Sequence, residues 1–318
     1  MQWGDSLEAM VELSWAKEEH AYLIGEPMDP AVIFRCGQAF RFSYDPQMGA
    51  YGGIAHKRQI WCRKLEKGME IFPVTPEQIE EIWWDYFDLG FCYPPKEMVS
   101  GHDAVLLKAI ECCRGLRILR QEPFETIVAF ILSANNNIAR IRGIIEKLCA
   151  LAGEQIAPGA FAFPEPRDLA ALREEQLLAC GAGYRAKYVL LTARKIAGGY
   201  DLQRFFHMDY PSARKELCEF PGVGPKVADC ILLFAYQKRE AFPADVWIRR
   251  MLCELYGFED KGDRQIMEFA ARHFGVYGGI AQQYLFHYMR KERGKLHEEQ
   301  ESGGELISAP AGKDQDVK

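Results

Sequence analysis

Apolar residues change their period near residue 101, and a chain that does this has to build two different kinds of structure. Before that point the runs Phe34–Phe42, Ala50–Ala55, Gln59–Lys64 and Met69–Val74 are short or alternating, and Asp45-Pro46, Lys57-Arg58 and Lys67-Gly68 separate them as turns do. Alternation by two puts every second side chain on one face of a pleated strand, so these runs predict an antiparallel sheet. Pro76 to Leu89 reads as a helix behind it, with Thr75 as N-cap and acids in its first turns. After Gly101 the apolar spacing follows the helical turn, broken by Pro and Gly. It predicts helices near 103–118, 123–133, 137–150, 185–197, 210–219, 225–238, 245–256, 263–274 and 279–293, and an all-helical second half. The expected fold is α+β: an N-terminal antiparallel-sheet domain over 1–115 packed on a helical core over 116–294. Residues 295–318, with Gly303-Gly304, Pro310 and alternating charges, hold too little apolar material to pack and read as a disordered tail.

Composition excludes more than it selects. With 48% hydrophobic and 26% charged residues the chain resembles an ordinary globular protein. No apolar stretch approaches the ~20 residues that span a bilayer, and Met1–Met10, carrying Asp5 and Glu8, does not read as a secretory signal. An intracellular protein with no membrane partner is expected. The ten cysteines form no C-x-x-C pair, which fits reduced thiols and suggests neither a zinc site nor an iron–sulfur cluster. A net charge of −6 does not exclude a nucleic-acid partner, because remote acids are screened beyond about 10 Å. Between Gly181 and Tyr200 the charged residues are Arg185, Lys187, Arg194 and Lys195, a run that serves either a solvated helix face or a phosphate backbone.

The chemistry concentrates in Glu219-Phe220-Pro221-Gly222-Val223-Gly224-Pro225-Lys226-Val227-Ala228-Asp229-Cys230, inside a pair of helices at 211–238. Gly222 and Gly224 permit positive φ and a close backbone approach, and Pro225 suits the first helical position. Main-chain N–H groups at such a helix start make a phosphate site, although any tight helical hairpin can use the same residues. Lys226 adds a reactive group: the positive end of the helix and a buried cleft would both favour its neutral amine, a nucleophile capable of forming a Schiff base. Cys230, four residues on, lies on the same helix face. Asp245, after Phe242-Pro243-Ala244, suits an N-cap, and a carboxylate held there could also steady positive charge on a sugar.

This segment resembles the helix-hairpin-helix DNA glycosylases, whose hairpin is followed by a catalytic Asp, and Lys226 resembles the nucleophile of the bifunctional glycosylase/lyases. Leu116–Phe124, Asn135-Asn136-Asn137-Ile138-Ala139-Arg140-Ile141, Gly183-Tyr184-Arg185-Ala186-Lys187-Tyr188, Gly37-Gln38-Ala39-Phe40-Arg41 and Ala281-Gln282-Gln283-Tyr284-Leu285-Phe286 are similar to the 8-oxoguanine DNA glycosylases in particular. The resemblance implies a monomeric intracellular enzyme, cytoplasmic and nucleoid-associated in a bacterium, acting on double-stranded DNA with 8-oxoguanine opposite cytosine. It implies Lys226 and Asp245 as catalytic residues and Gly222, Gly224 and Val227 as phosphate contacts. Gly37, Cys230, Gln282 and Phe286 would form the damaged-base pocket, with the Gly37 carbonyl accepting the N7 proton that 8-oxoguanine has and guanine lacks. Asn135 would fill the hole left by the flipped base, Tyr184 would wedge, and Arg140 with Arg185 would read the orphaned cytosine. No cofactor is required, and a monovalent cation at the hairpin is the only metal such a motif suggests.

The residues also have plainer readings. Three asparagines break or cap a helix, and Phe286 on its own would pass for core. Trp247 and Met289 depart from animal and yeast members, which place a His and an Asp there, so bacterial members are the nearer comparison. A non-catalytic DNA-binding module would need the hairpin but not Lys226, Asp245 and the pocket. A glycosylase for alkylated purines would not need Gly37, Asn135, Arg140 and Phe286 together.

Overall fold

A computed structural model describes residues 13–16, 20–100, 103–259 and 262–292, so the expected tail at 295–318 lies outside the described residues. Six strands form one antiparallel sheet: β1 (Leu13–Ala16), β2 (Ala21–Ile24), β3 (Phe42–Asp45), β4 (Ala50–Ala55), β5 (Arg58–Lys64) and β6 (Met69–Phe72), in the order β1-β2-β6-β5-β4-β3. Register keeps one face apolar, pairing Gly53 with Ile60 and Cys62 with Ile71. That face buries Ile24, Ile60, Cys62, Met69 and Ile71 against Trp83 and Phe87 of the following helical segment. There the capping box is complete, Gln78 N donating to Thr75 Oγ1 and Thr75 N to Gln78 Oε1. The helix ends at Tyr86 and is π-helical over Ile79–Trp83.

Two expectations need correction. The run Phe34–Phe42 is not a strand throughout, because Pro30–Arg35 is a helix. Asp29 caps it by accepting from Ala31 N at 2.9 Å, Pro30 sits in its first turn, and Phe34 stacks on Phe42 at 4.1 Å. A short apolar run looks alike in either state until its cap is recognised. The second half is not wholly helical, since Gln155–Ala157 and Ala160–Phe161 pair as a small antiparallel hairpin. The helix expected over 103–118 stops at Cys112; the others are found, namely Pro123–Ser133, Ile138–Ala152, Arg185–Ala197, Tyr210–Leu217, Pro225–Tyr236, Val246–Tyr256, Asp263–Phe274 and Gly278–Glu292. All ten cysteines are free thiols.

The sheet domain is fastened to the helical core by buried polar groups. Gln38, fully buried, donates from Nε2 to Ile33 O (2.9 Å) and Arg117 O (2.8 Å), and its Oε1 accepts from Leu119 N (2.8 Å). Arg117, also buried, donates to Asp88 O and Phe91 O and pairs with Glu26. Gln38→Leu keeps the bulk of the side chain and strands main-chain groups, each costing roughly 1–3 kcal/mol when left unpaired in a dry interior. The variant should unfold at clearly lower denaturant concentration, by about 2–4 kcal/mol in total. An unchanged midpoint would show that the joint does not depend on this amide.

Candidate active site

Lys226 stands in the first turn of the Pro225–Tyr236 helix, whose N-cap is Gly224. The preceding turn depends on Gly222, at φ +80°, where a Cβ would come within 2.8 Å of the Tyr188 ring. Gly224 does not use positive φ as expected; at φ −92° it is extended, and a Cβ there would meet nothing within 4 Å. Its role is openness. Pro225 lacks an N–H and Ala228 N is taken by Gly224 O (2.9 Å), so Lys226 and Val227 carry the main-chain donors that a helix start leaves without an intrahelical acceptor. They sit at the positive end of the helix dipole, beside the open Gly224 surface, as an anion site requires.

The Lys226 ammonium lies 5.6 Å from the centre of the Phe130 ring. Phe130 also meets Phe40 edge-on at 5.5 Å and stacks on Phe234 at 5.5 Å, so it joins the Gly37–Arg41 loop to the Lys226 helix. The expectation of a neutral amine is not met. Cys230 raises the Lys226 pKa above its ordinary value most, by attraction once its thiol ionises and by a hydrogen bond, and with Asp245 it outweighs desolvation. Burial in turn pushes the Cys230 thiol up to about 11, so at neutral pH both members of the pair hold their protons. Asp245 caps the Val246–Tyr256 helix, accepting from Ile248 N at 2.9 Å.

Gly37, at φ +81°, faces Phe286: a Cβ on it would stand 3.6 Å from the ring edge. Gln282 is buried one turn before Phe286 on the Gly278–Glu292 helix, and the Arg290 guanidinium lies 5.7 Å from the Phe286 ring centre. A second cluster gathers the residues expected at the opposite base. Asn135 is exposed in a left-handed conformation at φ +48°, and Asn137 caps the next helix through Arg140 N. Arg185 is buried, and its guanidinium donates to Ala134 O (2.7 Å from Nε) and Asn135 O (2.8 Å) while lying 4.4 Å from the Tyr184 ring centre. Tyr184, 58% exposed, projects outward, and the exposed Arg140 makes a long contact of 3.5 Å with Gly181 O. Arg185 is thus engaged in holding the loop.

Sequence reasoning missed Asp229, a buried carboxylate bound by Tyr210 Oη (2.8 Å) and by Arg214 Nε (2.7 Å) and Nη2 (3.1 Å). Burial raises its pKa against the pull of Arg214 and Tyr210. The signal was available: an acid inside the apolar run Val227–Tyr236 needs buried partners. Phe130 gave no such signal. Trp247, partly exposed, stacks loosely with Arg250, and Met289 packs on the core. No cluster of His, Cys, Asp or Glu among the described residues could hold a metal ion. No described helix is long and apolar enough to cross a membrane.

Comparison with known proteins agrees with this arrangement. Residues 24–127 match the 8-oxoguanine DNA glycosylase N-terminal domain, and residues 128–274 match the HhH-GPD superfamily of base excision DNA repair proteins. A probable N-glycosylase/DNA lyase of Methanothermobacter thermautotrophicus is 37% identical over 238 residues, 68% of this chain and 75% of the relative. The N-glycosylase/DNA lyase of Saccharomyces cerevisiae is 36% identical over 251 residues, 70% of this chain and 66% of the relative. The 8-oxoguanine glycosylase/lyase of Clostridium acetobutylicum, bound to double-stranded DNA containing cytosine opposite 8-oxoG, superposes with a TM-score of 0.82 at 35% identity, covering 90% of this chain and 99% of that one. With one family model over each of its two parts, and a relative of 37% identity matched over 75% of its length, the chain belongs to the 8-oxoguanine DNA glycosylases of the HhH-GPD base excision repair superfamily.

Proposed function

We propose that this protein is a bifunctional DNA glycosylase and AP lyase that removes 8-oxoguanine from duplex DNA, preferentially opposite cytosine, through a Schiff base on Lys226. The observation that carries the reading is a half-buried lysine in the first turn after a glycine hairpin, with Cys230 and Asp245 acting on it electrostatically. After the Lys226 ammonium gives a proton to water, the amine nitrogen attacks C1′ of the flipped nucleotide and the glycosidic bond breaks; its electron pair leaves with the base, which takes up the proton the nitrogen sheds. Nitrogen then expels the ring oxygen to give the imine. Loss of the C2′ proton and departure of the 3′ phosphate complete β-elimination, and water releases Lys226. Asp245, fixed by its cap bond, opposes the positive charge that grows on the sugar. Gly37, Cys230, Gln282 and Phe286 supply the base pocket; Gly222, Gly224 and Val227 belong to the phosphate contact. The reaction requires no cofactor, and a monovalent cation at the hairpin would meet main-chain carbonyls only.

Borohydride should link the protein covalently to an oligonucleotide carrying 8-oxoguanine opposite cytosine, and Lys226→Gln should abolish the adduct. A Lys226→Gln protein that still cross-links and nicks would assign the nucleophile elsewhere. Asp245→Asn retains a capping side chain, so folding should change by no more than ~1 kcal/mol. Its single-turnover rate should nevertheless fall about 100-fold, the scale of one preorganised electrostatic contact; a folded variant with full rate would leave Asp245 a cap and nothing more.

Preference for the opposite base rests on Arg140, exposed beside the Asn135 loop, together with the Arg185 N–H groups that the Ala134 and Asn135 carbonyls leave over. Cytosine offers O2 and N3 acceptors to guanidinium donors, whereas adenine turns an amino donor toward one of them and leaves a charged group unpaired. Excision opposite cytosine should therefore be at least ~10-fold faster than opposite adenine, the factor given by about 1.4 kcal/mol. Arg140→Met should narrow the gap mainly by slowing the cytosine substrate. Equal wild-type rates for the two pairs in single turnover would reduce both arginines to holding the loop and the backbone.

A further inference from the structure

Adjacent residues on a helix point about 100° apart and rarely bond through their side chains. Gln282 and Gln283 do so: Gln283 Nε2 donates to Gln282 Oε1 at 2.7 Å, and both side chains are buried. Two stripes therefore run side by side along the Gly278–Glu292 helix, Gln282 with Phe286 facing Gly37, and Gln283 with His287 behind them. Gln283 Oε1 and His287 Nδ1 have no hydrogen-bond partner among the described residues.

An amide can present either end to a ligand, and a purine edge tests which end it shows. The edge of a 6-oxopurine places the N1–H donor beside the O6 acceptor, so it needs an amide oxygen opposite N1 and an amide N–H opposite O6. A 6-aminopurine reverses both, with an N1 acceptor beside an amino donor. A freely turning glutamine would serve the two alike. We propose that Gln283 is a positioning residue that prevents this turn: by donating to Gln282 Oε1 it fixes the end of the Gln282 amide shown to the flipped base, and so makes the pocket select 6-oxopurines over 6-aminopurines. The inference rests on the reading of Gln282 and Phe286 as the base pocket.

Turning Gln282 alone would set its N–H groups against those of Gln283. Turning both amides together would restore a bond but direct the Gln283 amino end toward the His287 side of the helix. That side is cationic, since Arg290, Arg35 and Lys291 each act on His287 more strongly than the acid Asp29 does. The negative end of the Gln283 dipole belongs there, which leaves its amino end for Gln282. The second lone pair of Gln282 Oε1 and both hydrogens of its Nε2 remain for the base.

Single-turnover excision of 8-oxoguanine and of 8-oxoadenine, each opposite cytosine, tests the proposal with the full chain. Wild type should favour 8-oxoguanine, and Gln283→Leu should reduce the ratio of the two rates at least ~10-fold, equivalent to about 1.4 kcal/mol. Strand cleavage at a preformed abasic site, which has no base to read, should stay within about twofold in Gln283→Leu, an outcome that a general loss of structure would not give. Gln283→Met provides a second apolar replacement should the first fold poorly. In a Gln282→Ala background, replacing Gln283 should no longer alter the ratio, because the amide it positions is gone. An unchanged ratio in folded Gln283→Leu and Gln283→Met, beside a wild type active on 8-oxoguanine, would overturn the role of Gln283 alone. A wild type inactive on 8-oxoguanine would overturn the pocket reading, and this proposal with it.

Discussion

The buried amide of Gln38 is the joint on which the two halves of the molecule depend. It binds the end of the Pro30–Arg35 helix and both Arg117 and Leu119 of the segment entering the helical core, while Gln121 Nε2 donates to its main-chain oxygen at 2.7 Å. Gln121 N also donates to Phe234 O, in the last turn of the Lys226 helix. One connected set of hydrogen bonds thus ties Gly37, from the sheet domain, to the helix that carries Lys226. Such networks specify geometry because each member is costly to leave unpaired in a low-dielectric interior. The carbonyl at Gly37 and the amine at Lys226 come from positions nearly two hundred residues apart, and this joint sets their separation.

Phe130 performs the complementary apolar task. Its contacts with Phe40, Phe234 and the Lys226 head group give the three pieces of the pocket a common wall. Directed bonds set the angle between domains, and ring packing sets their distance. Asp229 adds a third constraint from behind, since its bonds to Tyr210 and Arg214 lock the two helices of the hairpin together one turn beyond Lys226. Lys226 therefore stands on a helix that is fastened to its partner one turn further on.

Much of this was legible in the sequence where chemistry is local. Thr75, Asn137 and Asp245 announce helix starts because a cap is a relation between residues three apart. The Gly222 turn, the sheet strands β4 to β6 and most helices follow from short patterns in the same way. The Pro30–Arg35 helix was missed because its apolar run fits either period once the Asp29-Pro30 start is overlooked. Long-range relations left little trace. Nothing in the spacing says that Arg185 turns its donors onto the Ala134 and Asn135 carbonyls, or that Gln283 meets Gln282; those follow from packing between elements.

The charge on Lys226 shows why position along a helix is an insufficient guide to reactivity. A helix start and a desolvated cleft both oppose the ammonium, but they compete with specific partners at closer range. Cys230 and Asp245 prevail, and the pKa rises. An ammonium has no lone pair to attack a sugar, so in the proposed reaction removing this proton would belong to the barrier. The charged head group lies 5.6 Å from the centre of the Phe130 ring, a contact that favours the ammonium over the neutral amine. Incoming duplex would exclude water from the cleft and strengthen every charge interaction within it, including the one between Asp245 and the cation developing on the sugar. In the proposed reaction the Asp245 carboxylate, already fixed by its bond from Ile248 N, would oppose the charge growing on the sugar without having to move.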